Sequence, residues 1–443
     1  MNIKLIPKNY YKNITKELIS SIKNKKGKIS LKRTSSNLFR KRKDNKNDLK
    51  IDLTKFSGVI SINTREKTAE VLARTTFDDL AKQTIPHGFM PAVVPELKTI
   101  TIGGAVTGIG IESSSWKYGL VHENVLEMDI LTNNKIIICN KKENKELFFG
   151  FPNSYGTLGY SLKLKIKLIP IKKFIKLEHK KYNDSKYLFK DIAKFQKSNL
   201  YDFIDGTVFN KNEMYITLGT FTNKAQFQSN YTKQKIYYKS IKDKKIDYLK
   251  TYDYIWRWDT DWFWRSDNFL AQNSLIRYFW PKSKLNSNTY TKIMRFFGKY
   301  PFLTKPFGKT ESIIQDVPIP LENSSEFLEF LLKVIGISPI WVCPTKIQDK
   351  TKFPLFPLKI ETHYINFGFW QMIPSNKPEN YYNKLVEKKV DKLKGIKSLY
   401  SSSFYSKEKF WNIYNGKIYK KLKAKYDPNN NFPDLYEKCV NKP

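Results

Sequence analysis

A glycine-rich run, TIGGAVTGIGIESSSWKYG at residues 101–119, is the part of the chain whose residue types and spacing best fit binding chemistry. Glycine can take positive φ angles and lets another molecule approach the backbone closely. Successive N–H groups of such a loop can converge on an anion, for which a pyrophosphate is the natural candidate. The glycines that give the run this character are Gly103, Gly104, Gly108 and Gly110. The run therefore indicates either a nucleotide-binding loop or a structural glycine turn.

The two commonest nucleotide fingerprints do not match this run. A Rossmann GxGxxG that starts at Gly108 would need a glycine at Ser113. A Walker loop would need GK followed by serine or threonine, and the run contains no such tripeptide. Because glycine-rich stretches are weak signals, the pattern alone favours the structural turn slightly and leaves an unspecified nucleotide loop open.

Several longer phrases of the sequence resemble one enzyme family. The glycine run has the lead-in PELxTIGG and the exit IESSSxKYG. The likeness continues through residues 147–177, 339–344 and 399–438, so that most of the chain is covered. In these phrases the chain resembles the Δ24-sterol reductases, which belong to the PCMH-type flavoproteins of the vanillyl-alcohol oxidase superfamily.

This resemblance implies that the chain binds FAD. For the phrase GTLGY at residues 156–160, the pattern alone favours strand packing over flavin contact, whereas the resemblance favours contact with the flavin. Residues 33–37 and 101–119 contain neither histidine nor cysteine, so we expect the FAD to be non-covalent. The implied cofactor-binding residues are Thr101, Ile102, Gly103, Gly104, Gly108, Gly110, Glu112, Ser113 and Gly159.

The resemblance also implies a reaction. Sterol reductases of this family take electrons from NADPH and reduce an isolated C=C bond, which requires hydride from flavin N5 and a proton donor nearby. The expected substrate is hydrophobic, of the sterol, terpenoid or polyprenyl type. Candidate proton donors are Glu112, Lys117, Tyr118 and Tyr400, each of which could instead have a structural role. Asp316 lies in a matched apolar run, but its function is undetermined.

Two other functions remain open at this point. One is an FAD-dependent alcohol or sugar oxidase or dehydrogenase of the same superfamily. The other is a non-catalytic basic protein that binds anionic polymers, because the formal net charge is +38. Lysine is scattered along the whole chain together with asparagine, isoleucine, tyrosine and phenylalanine, so we expect no specific nucleic-acid partner.

The elements that must position the glycine run are of mixed type. Short alternating runs predict strands, and a helix with Thr76 and Asp79 in capping-box spacing follows them. Asn133 and Asn134 predict the turn of a hairpin. Residues 160–171 alternate between apolar residues and lysine, as in a half-buried antiparallel strand. The other predicted strands are 49–53, 59–64 and 69–74.

These elements predict an α+β fold with three parts. In line with the resemblance, we expect a PCMH-type two-part FAD-binding domain at 1–180, which includes a polar N-terminal segment at 1–48. An α+β substrate (cap) domain would span 181–395, and the segment 396–443 would return to pack on the FAD domain. Within the cap, helices are predicted at 185–198 and after Asn323, and strands at 213–221, 338–344 and 363–370.

An aromatic cluster at residues 252–264 has three interpretations. Its rings could stack on nucleic-acid bases, form a wall for a hydrophobic substrate, or pack in the core. Carboxylates at Asp253, Asp259, Asp261 and Asp267 argue against a nucleic-acid surface, because they would repel the phosphates of the ligand. A substrate wall or core packing is therefore the favoured interpretation.

The sequence contains no run long enough for a signal peptide or a membrane span. Ile14, Leu18, Ile19 and Ile22 recur at helical spacing, which predicts a surface helix facing a core, with an interfacial helix as the alternative. Three dispersed cysteines show no disulfide or metal spacing, so a reducing compartment and no metal site are expected. We expect a cytoplasmic protein, with peripheral membrane contact as an alternative, and the oligomeric state is undetermined.

Overall fold

The computed structural model of the chain describes residues 5–23, 27–32, 38–40, 47–132, 135–299, 309–348 and 353–440. The predicted phosphate-contacting turn at 33–37 and the hairpin turn at Asn133 and Asn134 lie outside these residues. The strands are β1 (Ile29–Leu31), β2 (Leu49–Ile51), β3 (Val59–Asn63), β4 (Thr68–Leu72), β5 (Phe89–Pro91), β6 (Val125–Thr132), β7 (Lys135–Asn140), β8 (Tyr160–Pro170), β9 (Phe174–Tyr182), β10 (Phe203–Asn210), β11 (Glu213–Thr222), β12 (Ile246–Lys250), β13 (Thr310–Pro320), β14 (Ile340–Lys346) and β15 (His363–Pro374).

Helices alternate irregularly with these strands. Several of them are single turns that connect strands. They are α1 (Lys8–Ile22), α2 (Phe77–Thr84), α3 (Ile102–Gly108), α4 (Ser115–Tyr118), α5 (Lys145–Gly150), α6 (Ser185–Ser198), α7 (Tyr237–Ser240), α8 (Thr251–Ile255), α9 (Ser274–Phe279), α10 (Ser287–Lys299), α11 (Ser324–Phe330), α12 (Tyr381–Lys392), α13 (Lys407–Ile413), α14 (Gly416–Tyr426) and α15 (Leu435–Cys439).

The first large sheet has the order β3-β4-β8-β6-β7, with β5 paired to β8. Its strands pair in antiparallel fashion. In the central strand β8, Leu162, Leu164 and Ile166 are buried, whereas Lys167 is exposed. This alternation places one apolar face of the strand against the core, as its sequence pattern predicted.

The second large sheet has the order β12-β9-β11-β10-β14-β15-β13, also antiparallel. Helices α6, α11 and α12 cover it. The chain passes from the first sheet to the second at residues 171–173, between β8 and β9. The mixed helices and antiparallel sheets confirm the α+β class.

Two predicted helix starts have different outcomes. At α2 the Thr76 hydroxyl accepts a hydrogen bond from the Asp79 amide, so the predicted N-cap is confirmed. Helix α11 begins directly after Asn323, as predicted, but the Asn323 side chain makes no capping hydrogen bond. Its amide group instead donates to the Leu393 carbonyl at 3.0 Å, because residues 321–323 already form a 3₁₀ turn that leads into α11.

The N-terminal helix α1 packs on the protein. Ile14, Leu18 and Ile22 are buried in a cluster that includes Phe56 and Leu162. The prediction of a surface helix that faces a core is therefore confirmed, and these residues are not available as an interfacial membrane face. No helix within the described ranges is both long enough and apolar enough to cross a bilayer.

The C-terminal segment contacts residues from the first half of the chain. Helix α14 packs against α5. Lys423 Nζ donates to the Thr157 carbonyl at 2.9 Å, and Lys438 Nζ donates to the Tyr155 carbonyl at 2.7 Å. These two contacts join the C-terminal segment to the loop that precedes β8.

Candidate functional site

A cavity of about 290 Å³ lies where the glycine loop, the start of β8, the second sheet and the C-terminal segment meet. This volume is near the lower end of the range for small-molecule sites. Arg74 and Ser161 contribute from the first-sheet side, Trp341 and Trp370 from the second sheet, and Tyr400 from the C-terminal segment. All three parts of the fold thus contribute to one cavity.

The glycine loop is anchored by its own first amides. The Ile102 amide donates to the Thr75 carbonyl and the Gly103 amide to the Ala73 carbonyl, both at 2.9 Å. The Gly104 amide donates to the Thr101 hydroxyl at 3.2 Å. These N–H groups fix the loop to the end of β4, so they are not free to bind a phosphate as the sequence suggested.

The glycines of the loop are required by close packing. A Cβ atom on Gly103 would lie 2.6 Å from Ser161 Oγ, and one on Gly110 would lie 2.6 Å from Val121 Cγ2. Between Gly108 and Gly110, Ile109 has a φ of 64°. A β-branched residue at such an angle is strained, and strain of this kind is concentrated at functional sites.

Most of the residues proposed for FAD contact do lie at the cavity. Ile102 and Ser113 are buried behind the loop, and Gly159 lies against the Leu131 carbonyl of β6. Strand packing therefore accounts for Gly159, whereas Gly156 of the same GTLGY phrase lines the cavity. The predicted residues that line it are Thr101, Gly103, Gly104, Gly108, Gly110 and Glu112.

The cavity fits a cofactor that carries a diphosphate. Arg74 lines it, and the Arg40 guanidinium lies 4.7 Å from the centre of the Tyr155 ring, which also lines it. Arg40 is buried, and its Nη1 atom has no hydrogen-bond partner among the described residues. A buried guanidinium nitrogen without an acceptor among the described residues favours an anion nearby.

A buried charge cluster lies at one wall of the cavity, which Glu96 and Glu112 of the cluster line. The Arg257 guanidinium contacts Asp205 Oδ2 at 2.8 Å, Glu112 Oε1 at 3.4 Å, and also Glu96. Burial raises the pKa of both Glu96 and Glu112. The single cation Arg257 opposes this shift only in part, because three carboxyl groups share it. The expected catalytic role of Glu112 therefore competes with a structural role, because Arg257 and the Ser113 amide hold its carboxyl group.

Two of the expected proton donors are not among the residues that line the cavity. Lys117 and Tyr118 belong to the single turn α4, which packs on β14. Lys117 Nζ donates to Asp202 Oδ1 at 3.1 Å, on the side of the second sheet. Since neither side chain lines the cavity, their position does not support a catalytic role.

Tyr400 lines the cavity as part of a hydrogen-bonded chain. Its hydroxyl accepts from Trp370 Nε1 at 3.0 Å and is hydrogen-bonded to Asp316. Asp316 Oδ1 accepts from Asn366 Nδ2 at 2.8 Å. Desolvation raises the pKa of Asp316 to about 6, and burial together with Asp316 raises the pKa of Tyr400. The sequence singled out Asp316 without a role, and its only signal was an acid inside an apolar strand.

The aromatic cluster at residues 252–264 contributes to the wall of the cavity. Phe263 stacks on Trp370 with ring centroids 4.2 Å apart. Trp262 and Phe263 both line the cavity and have φ angles of 45° and 60°. Two consecutive bulky residues in the left-handed region are unusual, and the surrounding packing must hold them there. Trp262 and Phe263 are buried, which fits a substrate wall as well as core packing.

Substitution of Gly110 tests whether the loop carries the cofactor. In Gly110→Ala the new methyl group overlaps Val121 and Pro95, so the loop must shift. Overpacking costs about 1–3 kcal/mol. Since about 1.4 kcal/mol corresponds to a tenfold change in binding, we expect the FAD content of the purified protein to fall by about tenfold. Flavin absorbance per protein is the measurement. The control Gly88→Ala strains the backbone at a φ of 79° outside the cavity without any new contact within 4 Å, so an equal loss there would indicate general destabilisation and contradict the assignment.

Comparisons with known proteins agree with this geometry. A family model described as an FAD binding domain matches residues 15–138, which include the glycine loop. Delta(24)-sterol reductase of Homo sapiens is 25% identical over 401 residues, which cover 86% of this chain and 75% of the human protein. The Arabidopsis thaliana protein of the same name is 24% identical over 432 residues, or 88% of this chain and 76% of the plant protein.

A second kind of enzyme matches a shorter stretch. Cytokinin dehydrogenase 7 of Oryza sativa subsp. japonica is 27% identical over 135 residues, which cover 29% of this chain and 26% of the rice protein. Both kinds of relative are named as oxidoreductases. The chain therefore carries a PCMH-type FAD binding domain at residues 15–138 and is similar over most of its length to Delta(24)-sterol reductases.

Proposed function

We propose that the protein reduces a C=C bond of a hydrophobic substrate of the sterol, terpenoid or polyprenyl type, with electrons from NADPH. The observation that carries this proposal is the Asp316–Tyr400 pair, which lies in the same cavity as the glycine loop and the aromatic wall. The names of the relatives that cover most of the chain support the same reaction class.

Bound FAD would supply hydride transfer at N5. On the protein side, the cations Arg40 and Arg74 would hold its diphosphate, and Gly104 and Gly108, which line the cavity, would let it approach the backbone. Apolar side chains that line the cavity, Trp262, Phe263, Trp341 and Trp370, would position the substrate and exclude water. In the overall balance, NADPH gives up a hydride, one alkene carbon gains it, and the other carbon gains a proton.

Asp316 is best suited to supply that proton. Tyr400 alone is a weak acid, because burial and the neighbouring carboxyl group raise its pKa. The pKa of Asp316 is about 6, so a protonated carboxyl group is available near neutral pH. The Tyr400 hydroxyl would give its proton to the substrate carbon and receive another from the Asp316 carboxyl group, while Trp370 Nε1 orients the phenol oxygen.

An anaerobic titration tests the proposed function. The purified protein should show the absorption spectrum of oxidised flavin, and acid should release the flavin without attached peptide. In the titration, NADPH should bleach that spectrum. Addition of a sterol, terpenoid or polyprenyl alkene should then restore the oxidised spectrum. Bleaching by an alcohol or sugar, and not by NADPH, would favour the oxidase or dehydrogenase alternative, for which the cytokinin dehydrogenase match is the specific support.

The pH dependence of the alkene step follows from Asp316. Because the donor must be protonated, the rate should be constant well below pH about 6 and should fall about tenfold per unit above it. Single-turnover reoxidation of the reduced protein by the alkene measures this step. Asp316→Asn should remove the inflection. A wild-type profile without an inflection in this region would contradict the assignment.

A further inference from the structure

Arg265 is a buried cation to which the proposed reaction gives no role. Its side chain is 2% exposed, and its Nε and Nη1 atoms have no hydrogen-bond partner among the described residues. Its Nη2 atom donates to Met294 Sδ at 3.1 Å, and a thioether is a weak acceptor. The buried cations Arg257 and Arg277 pair with carboxyl groups, whereas no carboxyl group in the described part of the chain pairs with Arg265. A buried charge without such a partner costs stability, which favours a functional reason for its presence.

Arg265 lies beside the aromatic residues that separate it from the cavity. Its guanidinium is 4.5 Å from the centre of the Trp262 ring and 5.8 Å from the centre of the Phe39 ring. The Phe39 ring packs edge-on against the Tyr400 ring, with centroids 5.9 Å apart, and the Phe39 amide donates to the Tyr400 carbonyl at 2.9 Å. Phe39, Trp262 and Tyr400 all line the cavity. The guanidinium and the Tyr400 ring therefore pack against the same phenylalanine.

The surroundings of Tyr400 oppose its ionisation. Burial, Asp316 and Tyr155 raise the pKa of Tyr400, and only the hydrogen bond from Trp370 among its other close partners acts against them. Desolvation lowers the pKa of Arg265 to about 10, so this side chain is still protonated at neutral pH, and a negative charge on Tyr400 would favour that protonated form. At an effective dielectric constant of about 20, two charges about 10 Å apart change each other's ionisation constants by about tenfold.

We infer that Arg265 stabilises the phenolate that Tyr400 forms when it gives its proton to the substrate. The Tyr400 O–H bond breaks as the C–H bond forms at one alkene carbon. The electron pair of the O–H bond stays on the phenol oxygen until the Asp316 carboxyl group returns a proton, and the Arg265 charge opposes the negative charge during this interval. Arg265 does not line the cavity and acts through Tyr400, so it is a positioning residue. The inference rests on the proposed function, in which Tyr400 is the proton donor.

A ring-fluorinated tyrosine at position 400 of the full chain tests this inference without turnover. Its phenol is more acidic than that of tyrosine, and fluorine NMR follows its ionisation as the pH is raised. Arg265→Met should raise the pKa of this phenol by about one unit, because it removes the positive charge. Arg265→Lys keeps a charge and should change the pKa by less than half as much. Arg65→Met, at an exposed residue between β3 and β4, is the control and should leave the pKa unchanged.

The rate of the alkene step and the stability of the fold give two further readouts. Arg265→Met should slow single-turnover reoxidation by the alkene by about tenfold and leave bleaching by NADPH unchanged, since only the alkene step forms the phenolate. It should not lower the stability against denaturant, because it removes a buried charge that has no carboxylate partner. Arg277→Met leaves the buried Asp261 without its cation and should lower the stability. A purely structural role of Arg265 predicts a loss of stability and no change at position 400.

Three results would overturn the inference. The first is an unchanged pKa at position 400 in Arg265→Met, and the second is an equal change in Arg265→Lys. The third is loss of FAD from Arg265→Met, since that would assign the guanidinium to the cofactor. A wild-type protein that reduces no alkene would contradict the proposed function, whereas the pKa at position 400 would still decide whether Arg265 stabilises the Tyr400 phenolate.

Discussion

Asp316→Asn should lower the rate of alkene reduction by about 100-fold to 1,000-fold, the usual effect of losing a positioned proton donor. Asparagine keeps the shape of the side chain and its contact with Asn366, but it carries no titratable proton. Tyr400→Phe should have an effect of similar size, because it interrupts transfer from Asp316 to the substrate. Anaerobic stopped-flow absorbance of the flavin measures the rate.

This prediction separates the two half-reactions. Bleaching by NADPH should stay within about threefold of wild type in both variants, because it requires no proton at Tyr400. A second tyrosine and aspartate pair provides the matched control: Tyr182 donates to Asp191 at 2.8 Å, and neither residue lines the cavity. Tyr182→Phe and Asp191→Asn should leave both rates unchanged. Normal alkene reduction by Asp316→Asn would remove the carboxyl group from the mechanism.

Arg257→Met should destabilise the folded protein by about 3–5 kcal/mol, since it leaves three buried carboxyl groups without a cation. Trp341 Nε1, which donates to Asp205 Oδ2 at 3.0 Å, cannot replace the guanidinium charge. Denaturant unfolding followed by tryptophan fluorescence measures the loss. Lys333→Met, which removes an exposed pair with Glu329, is the control and should change stability by less than about 1 kcal/mol.

The pH dependence of this variant has a defined sign. The pKa values of Glu96 and Glu112 are raised in the folded protein, so their protonation favours folding. Stability from such groups is fully present below their unfolded pKa and is lost as pH rises through the folded pKa. The stability deficit of Arg257→Met against wild type should therefore shrink as the pH falls from about 7 toward the unfolded pKa of glutamate, about 4.3. A deficit that grows on acidification would contradict this account of the cluster.

Local patterns in the sequence determined the elements and their class. The alternation of Leu162 to Leu168 with lysines defined β8, and Thr76 defined the start of α2, because these signals involve neighbours in the chain. They failed at Asn323, where a distant carbonyl, that of Leu393, competes for the side chain. The glycine run and the longer matched phrases also located the loop that lines the cavity, since its close contacts form within the run or with the residues directly after β4.

The chemistry around that loop was decided only by the tertiary structure. Asp316, Tyr400 and Trp370 are separated by 30 to 84 residues, and the pairing of β13 with β15 together with the return of the C-terminal segment brings them together. Glu96, Asp205 and Arg257 meet in the same way. A raised pKa arises from burial and from neighbours in space, which no spacing along the chain records. The sequence therefore determined that this protein carries a flavin domain, and only the fold brought Asp316 and Tyr400 together in the cavity beside the glycine loop.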